Sequence, residues 1–569
     1  MKEMDRRGLL GRGAATLAMT PQALRSDAAL AAQPPQPGNI RSVVSRELLR
    51  SLPGVVPGDV LYLAEAGREG MFACRAGAPT IADRLEGLQL ASRAQPVHFA
   101  RIWDGTHGRP EWFGARVNDG RVDCADAIEA CYTLCPHTQL GQADYFIRRT
   151  LRFDRSWRTL RGVGNYATDQ GRGTRIILQG SAPGVHTADL MVVGSVEQPA
   201  RTNDRFPFEN HFSNFTLIRD GRSAPHPSGD IRRYPTGLRA AYLVRSTFRE
   251  ITSLASSVGF YLGGLTYTKV DDCLAQRLEP GLGGGADLAV GFFLDGAPNF
   301  GLAGGNASLY LDRCVVVGQH PSHRRPTGLL ARGAFVDTFL DRFESAQIDT
   351  GVAFDARGAG SRGQTVDVHI RGAVLDGCAR HGLDLDLTGT SSASVEVIDP
   401  YVYAPASGGD RGVFVHDGAG LVTITGGQVH GAFANGSLAL SATRGVRVQG
   451  LKLHEAVRPV VVADAGGLVL EPQITNIERR TDGFAIACAA MYRSIVRPIV
   501  VGAPGAFAGG VSLDAACNYS SLDGTAIDPG CFREVTGARK LWFAGGDATQ
   551  GAGALAFGRR FNVVTGVLG

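Results

Sequence analysis

One short phrase repeats between about residue 160 and residue 527: an apolar residue, any residue, a turn former or charge, then an alternating apolar run. It reads LVTITGGQVHG at 421–431, GVRVQGLKLHE at 445–455 and GLVLEPQIT at 467–475. Aligned on the apolar residue before the turn, the anchors are Leu160, Phe212, Phe248, Val270, Leu311, Leu340, Ile370, Ile398, Ile424, Val448, Leu470, Val496 and Leu522. From Leu340 onward they are spaced 30, 28, 26, 24, 22, 26 and 26 residues apart. Strand periodicity inside a near-constant period in the twenties predicts a solenoid rather than a sandwich. A second phrase, Gly followed by apolar-x-apolar, runs in step with the first at Gly259, Gly291, Gly351, Gly382 and Gly412. Two or three short strands per turn with loops of variable length describe an all-β chain, a right-handed parallel β-helix.

Composition fits that reading. The chain holds 76 glycines in 569 residues and only 20% charged residues, so turns are abundant and helices scarce. The net charge of +4 argues against a general nucleic-acid binder, which would carry a broad basic surface. No stretch reaches the roughly 18 apolar residues that a membrane-spanning helix needs. Residues 1–31 read as an export signal: Arg6-Arg7-Gly8-Leu9-Leu10 is a twin-arginine pair before a weakly apolar segment, and Ala29-Leu30-Ala31 offers a small-x-small cleavage pattern. The expected destination is the periplasm or beyond. Cys131 and Cys135 can share a helix face, and Cys517 and Cys531 can close a short loop. Cys273 and Cys314 occupy equivalent places in successive rungs and are expected to stack inside the coil as free thiols. No Cys-x2-Cys, His-Glu-x-x-His or EF-hand pattern is present, so neither a metal nor a cofactor is expected.

Residues 32–110 read as a Pro-rich linker and a small N-terminal module with a short helix from Ser45 to Leu52; 111–535 as the coil; 536–569 as a C-terminal cap or tail. After Trp112-Phe113-Gly114-Ala115 and Asn118-Asp119-Gly120, the Ala/Ile spacing following Asp123 predicts an amphipathic helix with Asp123 as its N-cap. Such a helix covers the open apolar end of a solenoid. This order, followed by Leu160-Arg161-Gly162-Val163-Gly164, resembles the opening of pectate-lyase-superfamily β-helix proteins, which include polygalacturonase-related hydrolases, polysaccharide lyases and tailspike depolymerases. The motif resemblance covers roughly residues 110–165 and the rung pattern carries the rest. It implies the fold and a glycan-directed role. The polygalacturonase signatures Asn-Thr-Asp and Gly-His-Gly are missing from their expected places, so that chemistry does not transfer as a set. Gly162-Val163-Gly164-Asn165-Tyr166-Ala167 also fits G-x-G-x-x-A, but no βαβ unit surrounds it, and it reads as a tight turn on an early rung.

Equivalent positions of neighbouring rungs stack ~4.8 Å apart, so polar residues in one column form a ladder. After the Gly-anchored strand the column reads Asp295, Arg332, Asp355, Asp386, His416, Ser441, with Asp384 at an outward position of its strand. Adjacent carboxylates at Asp355 and Asp386 would push one pKa upward and yield an acid beside a base, with Arg332 above and His416 below. Paired acids followed one rung later by a His are similar to the arrangement in polygalacturonases. A competing column holds Asp271, Asp312 and Asp341, with Glu344 beside it; acids after strands also serve as plain turn formers.

Long insertions at 219–236, 279–307 and 318–327 can rim a groove, and Arg232, Arg233, His323 and Arg324 make that rim locally positive. Guanidinium groups suit carboxylates, which points to an acidic glycan. The expected activity is polysaccharide cleavage by a glycoside hydrolase; a lyase or epimerase uses similar parts, and a non-catalytic glycan-binding adhesin is the rival. A binder would present aromatic platforms, for which Tyr261, Phe293 and Phe414 are the outward candidates. The partly apolar column Phe293, Leu330, Ala353, Phe414, Ala439, Val461 would be covered by sugar rings, by the chain's own loops, or by another subunit. The resemblance to tailspike-like proteins implies a trimer in the last case.

Overall fold

The computed structural model describes residues 40–165, 173–180, 185–186, 188–194, 206–223, 230–278, 289–296, 306–318, 326–355, 364–513, 517, 520–523, 541–543, 560–562 and 567–568. Residues 40–82 with 89–102 form one compact unit, and 83–88 with the chain from 103 onward form the other. The smaller unit is a five-stranded sheet, Arg41–Val43, Val60–Leu63, Gly70–Ala76, Val97–Arg101 and Gln89–Ala91, around Phe72, Leu90 and Phe99. The expected short helix is Arg46–Ser51, capped by the Ser45 side chain on the Leu48 N–H.

The larger unit is a right-handed parallel β-helix. One rung runs Val258–Gly263, Thr266–Asp271, Leu274–Gln276, and the next repeats it as Val290–Gly296, Asn306–Asp312, Val315–Val317, each strand parallel to its predecessor. Three parallel sheets result, here called first, second and third in that order. The anchor column of the second sheet pairs Cα to Cα from Leu160 through Phe212, Phe248, Val270, Leu311, Leu340 and Ile370, then on through Ile424, Val448, Leu470, Val496 and Leu522. One anchor differs: Ile370 pairs with Val397 rather than Ile398. Along that strand Ala393, Val395 and Val397 point inward, so parity places Ile398 on the outer face.

The sharp bend between the second and third sheets has a local cause. Two residues after the anchor the backbone is left-handed, at Asn214, Glu250, Asp272, Arg313, Arg342, Gly372, Asp399, Gly426 and Gly450, with φ between 50 and 69°. Asn, Asp and Gly tolerate that conformation best, which is why the repeated phrase carries a turn former there.

The Gly-anchored phrase has a steric cause. A Cβ on Gly351 would lie 2.5 Å from the carbonyl oxygen of Gly382, and one on Gly382 would lie 2.6 Å from that of Gly412. The same close approach runs through Gly237, Gly259, Gly291 and Gly328, so this column packs backbone on backbone. Gly351→Ala is therefore expected to destabilise the coil by about 1–3 kcal/mol, read as a shift of the denaturant midpoint. An unchanged midpoint would show that the column accommodates a methyl group.

Helix Ala125–Leu134 closes the N-terminal end of the coil, burying Ala127, Ile128, Cys131 and Tyr132, with the Tyr132 ring 4.5 Å from Phe153. It starts one residue later than expected: Cys124 holds the cap position, and the Asp123 carboxylate accepts the Ala125 N–H from just outside. Coil strands continue past the expected boundary at 535, since Leu541–Phe543 pairs in parallel with Val511–Leu513. Arg560–Asn562 then pairs antiparallel with Ser521–Asp523. Cys273 and Cys314 are buried, free and stacked in register, Cys131 and Cys135 are free as well, and Cys517 is buried. Cys531 and residues 1–39, including the export-signal residues, lie outside the described residues. Among the described residues no helix is long and apolar enough to cross a membrane.

Candidate functional site

Strand pairing builds the expected polar column on the first sheet. Asp295 faces Arg332, Arg332 faces Asp355, Asp355 faces Asp386, Asp386 faces His416 and His416 faces Ser441. Asp384 sits two residues before Asp386 on the strand His381–Asp386, with the same outward parity, between Ala353 and Phe414.

Asp384 is the centre of the site. Its Oδ2 accepts from His381 Nδ1 at 2.8 Å and its Oδ1 from His416 Nε2 at 2.9 Å. Each imidazole meets a second carboxylate: His416 Nδ1 lies 2.7 Å from an Asp417 oxygen, and His381 Nε2 lies 3.1 Å from an Asp410 oxygen. Asp410 also accepts from Arg411 at 2.8 Å and from Asn435. The result is an unbroken chain, Asp417–His416–Asp384–His381–Asp410, of alternating acids and bases. Both imidazoles are buried, whereas the Asp384 side chain keeps 20% of its surface open.

Burial alone would raise the Asp384 pKa, but the hydrogen bonds and charges of His381 and His416 outweigh it and hold the carboxyl well below the usual range. Burial likewise opposes charge on His416, and Asp384 with Asp417 overcomes it, so its pKa rises above the ordinary imidazole value. The ionised form of Asp384 is favoured by two ring nitrogens, one of them on an imidazole whose own protonated form is favoured in turn.

The rest of the column has partners of its own. Asp355 forms an ion pair with Arg332 at 3.3 Å. Asp386 is buried, and its Oδ1 accepts from the Thr388 N–H at 3.0 Å and from its hydroxyl at 2.5 Å. The repulsion expected between these two acids is thus met by Arg332 on one side and Thr388 on the other. Asp295 takes Arg232 at 2.9 Å and the Tyr261 hydroxyl at 2.6 Å, so Arg232 does reach the column, while Arg233 is exposed beside it. His323 and Arg324 lie outside the described residues.

The aromatic platforms need correction. Phe293 is fully buried with Leu330 beneath Ile231 and Tyr234, because the short helical turn Ile231–Arg233 folds back over them. That end of the apolar stripe is covered by the chain itself and carries no argument for another subunit. Tyr261 has Arg239 over its ring at 4.2 Å. Phe414 has Arg411 over its ring at 4.3 Å and the His416 ring stacked on it at 4.0 Å. Neither Tyr261 nor Phe414 presents a bare face for a sugar; Phe414 positions His416.

The second set of acids lies at the turn after the second sheet and does not join Asp384. Arg313 meets Asp271 at 2.5 Å, Asp272 at 2.6 Å and Asp312 at 2.8 Å, and Arg342 meets Asp312 at 2.6 Å. Asp341 continues this column and Glu344 is exposed on the third sheet. These partly exposed ion pairs belong to the turn, and each contributes little to stability. Asp386, His416 and Asp417 offer three ligand atoms within 4.8 Å of one another, the one such group among the described residues. Both His416 nitrogens already donate to carboxylates, so a cation there would first have to displace them.

His381, Asp410 and Asp417 were not legible as site residues from the phrase alone. The signal lay one place before its glycine: that position reads Val258, Val290, Thr327, Thr350, His381, Arg411 along the rungs, turning from apolar to polar where the site forms.

No protein-family model and no curated protein matches the sequence. Solved structures do. The tailspike protein of Escherichia coli bacteriophage HK620, in a mutant form bound to a hexasaccharide, superposes with a TM-score of 0.56 at 11% identity, covering 82% of this chain and 83% of that one. The gp42 tailspike of Acinetobacter phage vb_AbaP_AS12 follows at 0.41 and 15% identity, covering 85% and 74%. PfbA, a surface adhesin of Streptococcus pneumoniae, gives 0.38 at 10% identity, covering 74% and 92%. The HK620 likeness carries the fold: the parallel β-helix implied by the resemblance to the pectate-lyase superfamily.

Proposed function

We propose that this chain is an exported glycan-cleaving enzyme, a glycoside hydrolase acting at the Asp384 network on the first sheet. The observation that carries this is Asp384 itself, an accessible carboxylate held ionised between two imidazoles. Glycoside hydrolysis needs an ionised carboxylate on one side of the anomeric carbon and a carboxylic acid on the leaving oxygen. Asp384 fits the first role. Asp386, buried two residues along the same strand, is the candidate for the second, and Asp355, opposite it on the preceding rung, is paired with Arg332. His416, whose protonated form Asp384 and Asp417 favour, fixes the Asp384 carboxylate and in that form adds positive charge next to it. An oligosaccharide, the kind of ligand bound in the HK620 tailspike structure, is the substrate class to test.

The cations around the site favour one second reading. Arg232, Arg332 and Arg411 each pair with an acid of this region, and a lyase or epimerase uses such cations to neutralise a uronate while a base removes the adjacent proton. The test is a panel of neutral and acidic polysaccharides with mass spectrometry of the products. Hydrolysis is expected to add one water per cleaved bond and no ultraviolet absorbance. Products lacking that water and absorbing from a new C=C bond would establish the lyase. Bound glycan with no product from any polymer would establish the adhesin-like reading. In the hydrolase case the Asp355→Asn, Asp386→Asn double variant is expected to lose cleavage; a double variant with the parent rate would remove both acids from the mechanism.

Export is part of the proposal. Arg6→Lys with Arg7→Lys is expected to leave the protein in the cytoplasmic fraction, and unchanged export would overturn the twin-arginine route.

A further inference from the structure

We propose a second carbohydrate-binding cleft, for an anionic saccharide, on the second sheet at the N-terminal rungs. It lies on a different sheet from Asp384 and does not depend on the cleavage reading. The cleft has a volume of about 870 Å³, within the range of small-ligand sites. Its floor is a column in register: Gln139, Arg161, Ser213 and Arg249 face one another on successive strands, with His211 alongside.

The charge of this cleft is not balanced. Arg161 is exposed, and no carboxylate among the described residues lies within ion-pair distance of it. Arg249 meets Glu250 at 3.1 Å and Asp271 at 3.7 Å. Glu250 is the one acid on the wall; besides the two arginines the lining is Gln139, Thr159, Ser213, Asn214 and His211, with Gly162 and Val163. The two arginines stand two strand spacings apart along the backbone, ~10 Å, with Ser213 between them. That pattern suits a chain of sugars bearing a carboxylate or sulfate on alternate units, each anion meeting a guanidinium and the intervening hydroxyls meeting Gln139 and Ser213. The backbone of the glycine-rich turn is not the anion receptor: Gly162 N–H donates to Ser213 O at 2.9 Å and Gly164 N–H to Asn214 O at 3.0 Å. These same bonds leave no phosphate cradle for a dinucleotide, and Tyr166 and Ala167 of that motif lie outside the described residues.

The test uses the full chain carrying Asp384→Asn, so that no probe is consumed, and calorimetric titration with oligogalacturonate, sulfated dextran oligomers and neutral dextran oligomers. An anionic probe is expected to bind and neutral dextran not to bind. Arg161→Ala is expected to weaken binding about tenfold or more, Arg161→Lys to weaken it less, and thermal melts of both to match the parent. Binding of oligogalacturonate alone identifies carboxylate as the recognised group, and binding of sulfated dextran alone identifies sulfate. Three results would overturn the proposal: no binding of either anion, equal binding of neutral dextran, or full binding by the Arg161→Ala protein. Binding that the parent shows and the Asp384→Asn protein lacks would move the ligand to the first-sheet site and overturn it as well.

Discussion

Asp384→Asn is expected to lower turnover by ~10²–10⁴-fold, the range for removing a positioned acid–base or carboxylate group, while the coil stays folded. The substitution keeps the shape and removes the charge. It also breaks the order of the chain, because Asp384 accepts from both His381 and His416, whereas an amide accepts through one atom only and turns an N–H toward the other ring. One imidazole must then release its proton or its partner. The matched control is Asp312→Asn, whose carboxylate is shared by Arg313 and Arg342 at the edge of the second sheet. It is expected to leave turnover unchanged and to shift stability by less than about 1 kcal/mol, as for exposed ion pairs. Initial rates on the polymer found by the polysaccharide panel decide between the columns. Parent-like turnover in Asp384→Asn together with a large loss in Asp312→Asn would transfer the site to the second column.

Much of the fold was legible because a β-helix writes its geometry into spacing. Each anchor must fill the interior, and most are followed two residues later by a left-handed turn, so the phrase survives insertions elsewhere in the rung even where the spacing changes. The one misplaced anchor, Ile398 for Val397, arose where two apolar β-branched residues adjoin and only strand parity separates them. The polar column was legible for the same reason, since register alone stacks Asp295, Arg332, Asp355, Asp386 and His416. Which acid is central was not. Column counting weights equal positions equally, and Asp384 stands out only because His381 reaches it from within its strand and His416 from the next rung. The aromatic positions failed for a different reason: outward parity says nothing about what folds over a residue. Ile231 and Tyr234, from a distant insertion, bury Phe293, and Arg411 and His416 both pack on the Phe414 ring.

The same network sets an expected pH dependence, and its two limbs have opposite signs. Asp384 and Asp410 have depressed pKa values: for each, burial opposes ionisation, and the hydrogen bonds (from His381 and His416 to Asp384, from Asn435 and His381 to Asp410) outweigh it. A depressed carboxyl contributes stability that is fully present above its unfolded pKa, about 3.9, and is lost as pH falls toward the folded value. His416 has a raised pKa, so its contribution is fully present below its unfolded value, about 6.5, and is lost as pH rises through the folded one. Both contributions therefore coexist between about pH 4 and pH 6.5. The stability difference between the parent and Asp384→Asn, from denaturant unfolding, is expected to be greatest in that window and to shrink on either side. Turnover is expected to fall on the alkaline side as well, because deprotonated His416 no longer donates to both Asp384 and Asp417. His416→Gln separates the two causes. It keeps a donor to one carboxylate but cannot titrate, so its alkaline limb should vanish while its acid limb remains. An alkaline limb that persists unchanged in His416→Gln would assign the titration to another group and remove His416 from the pH response.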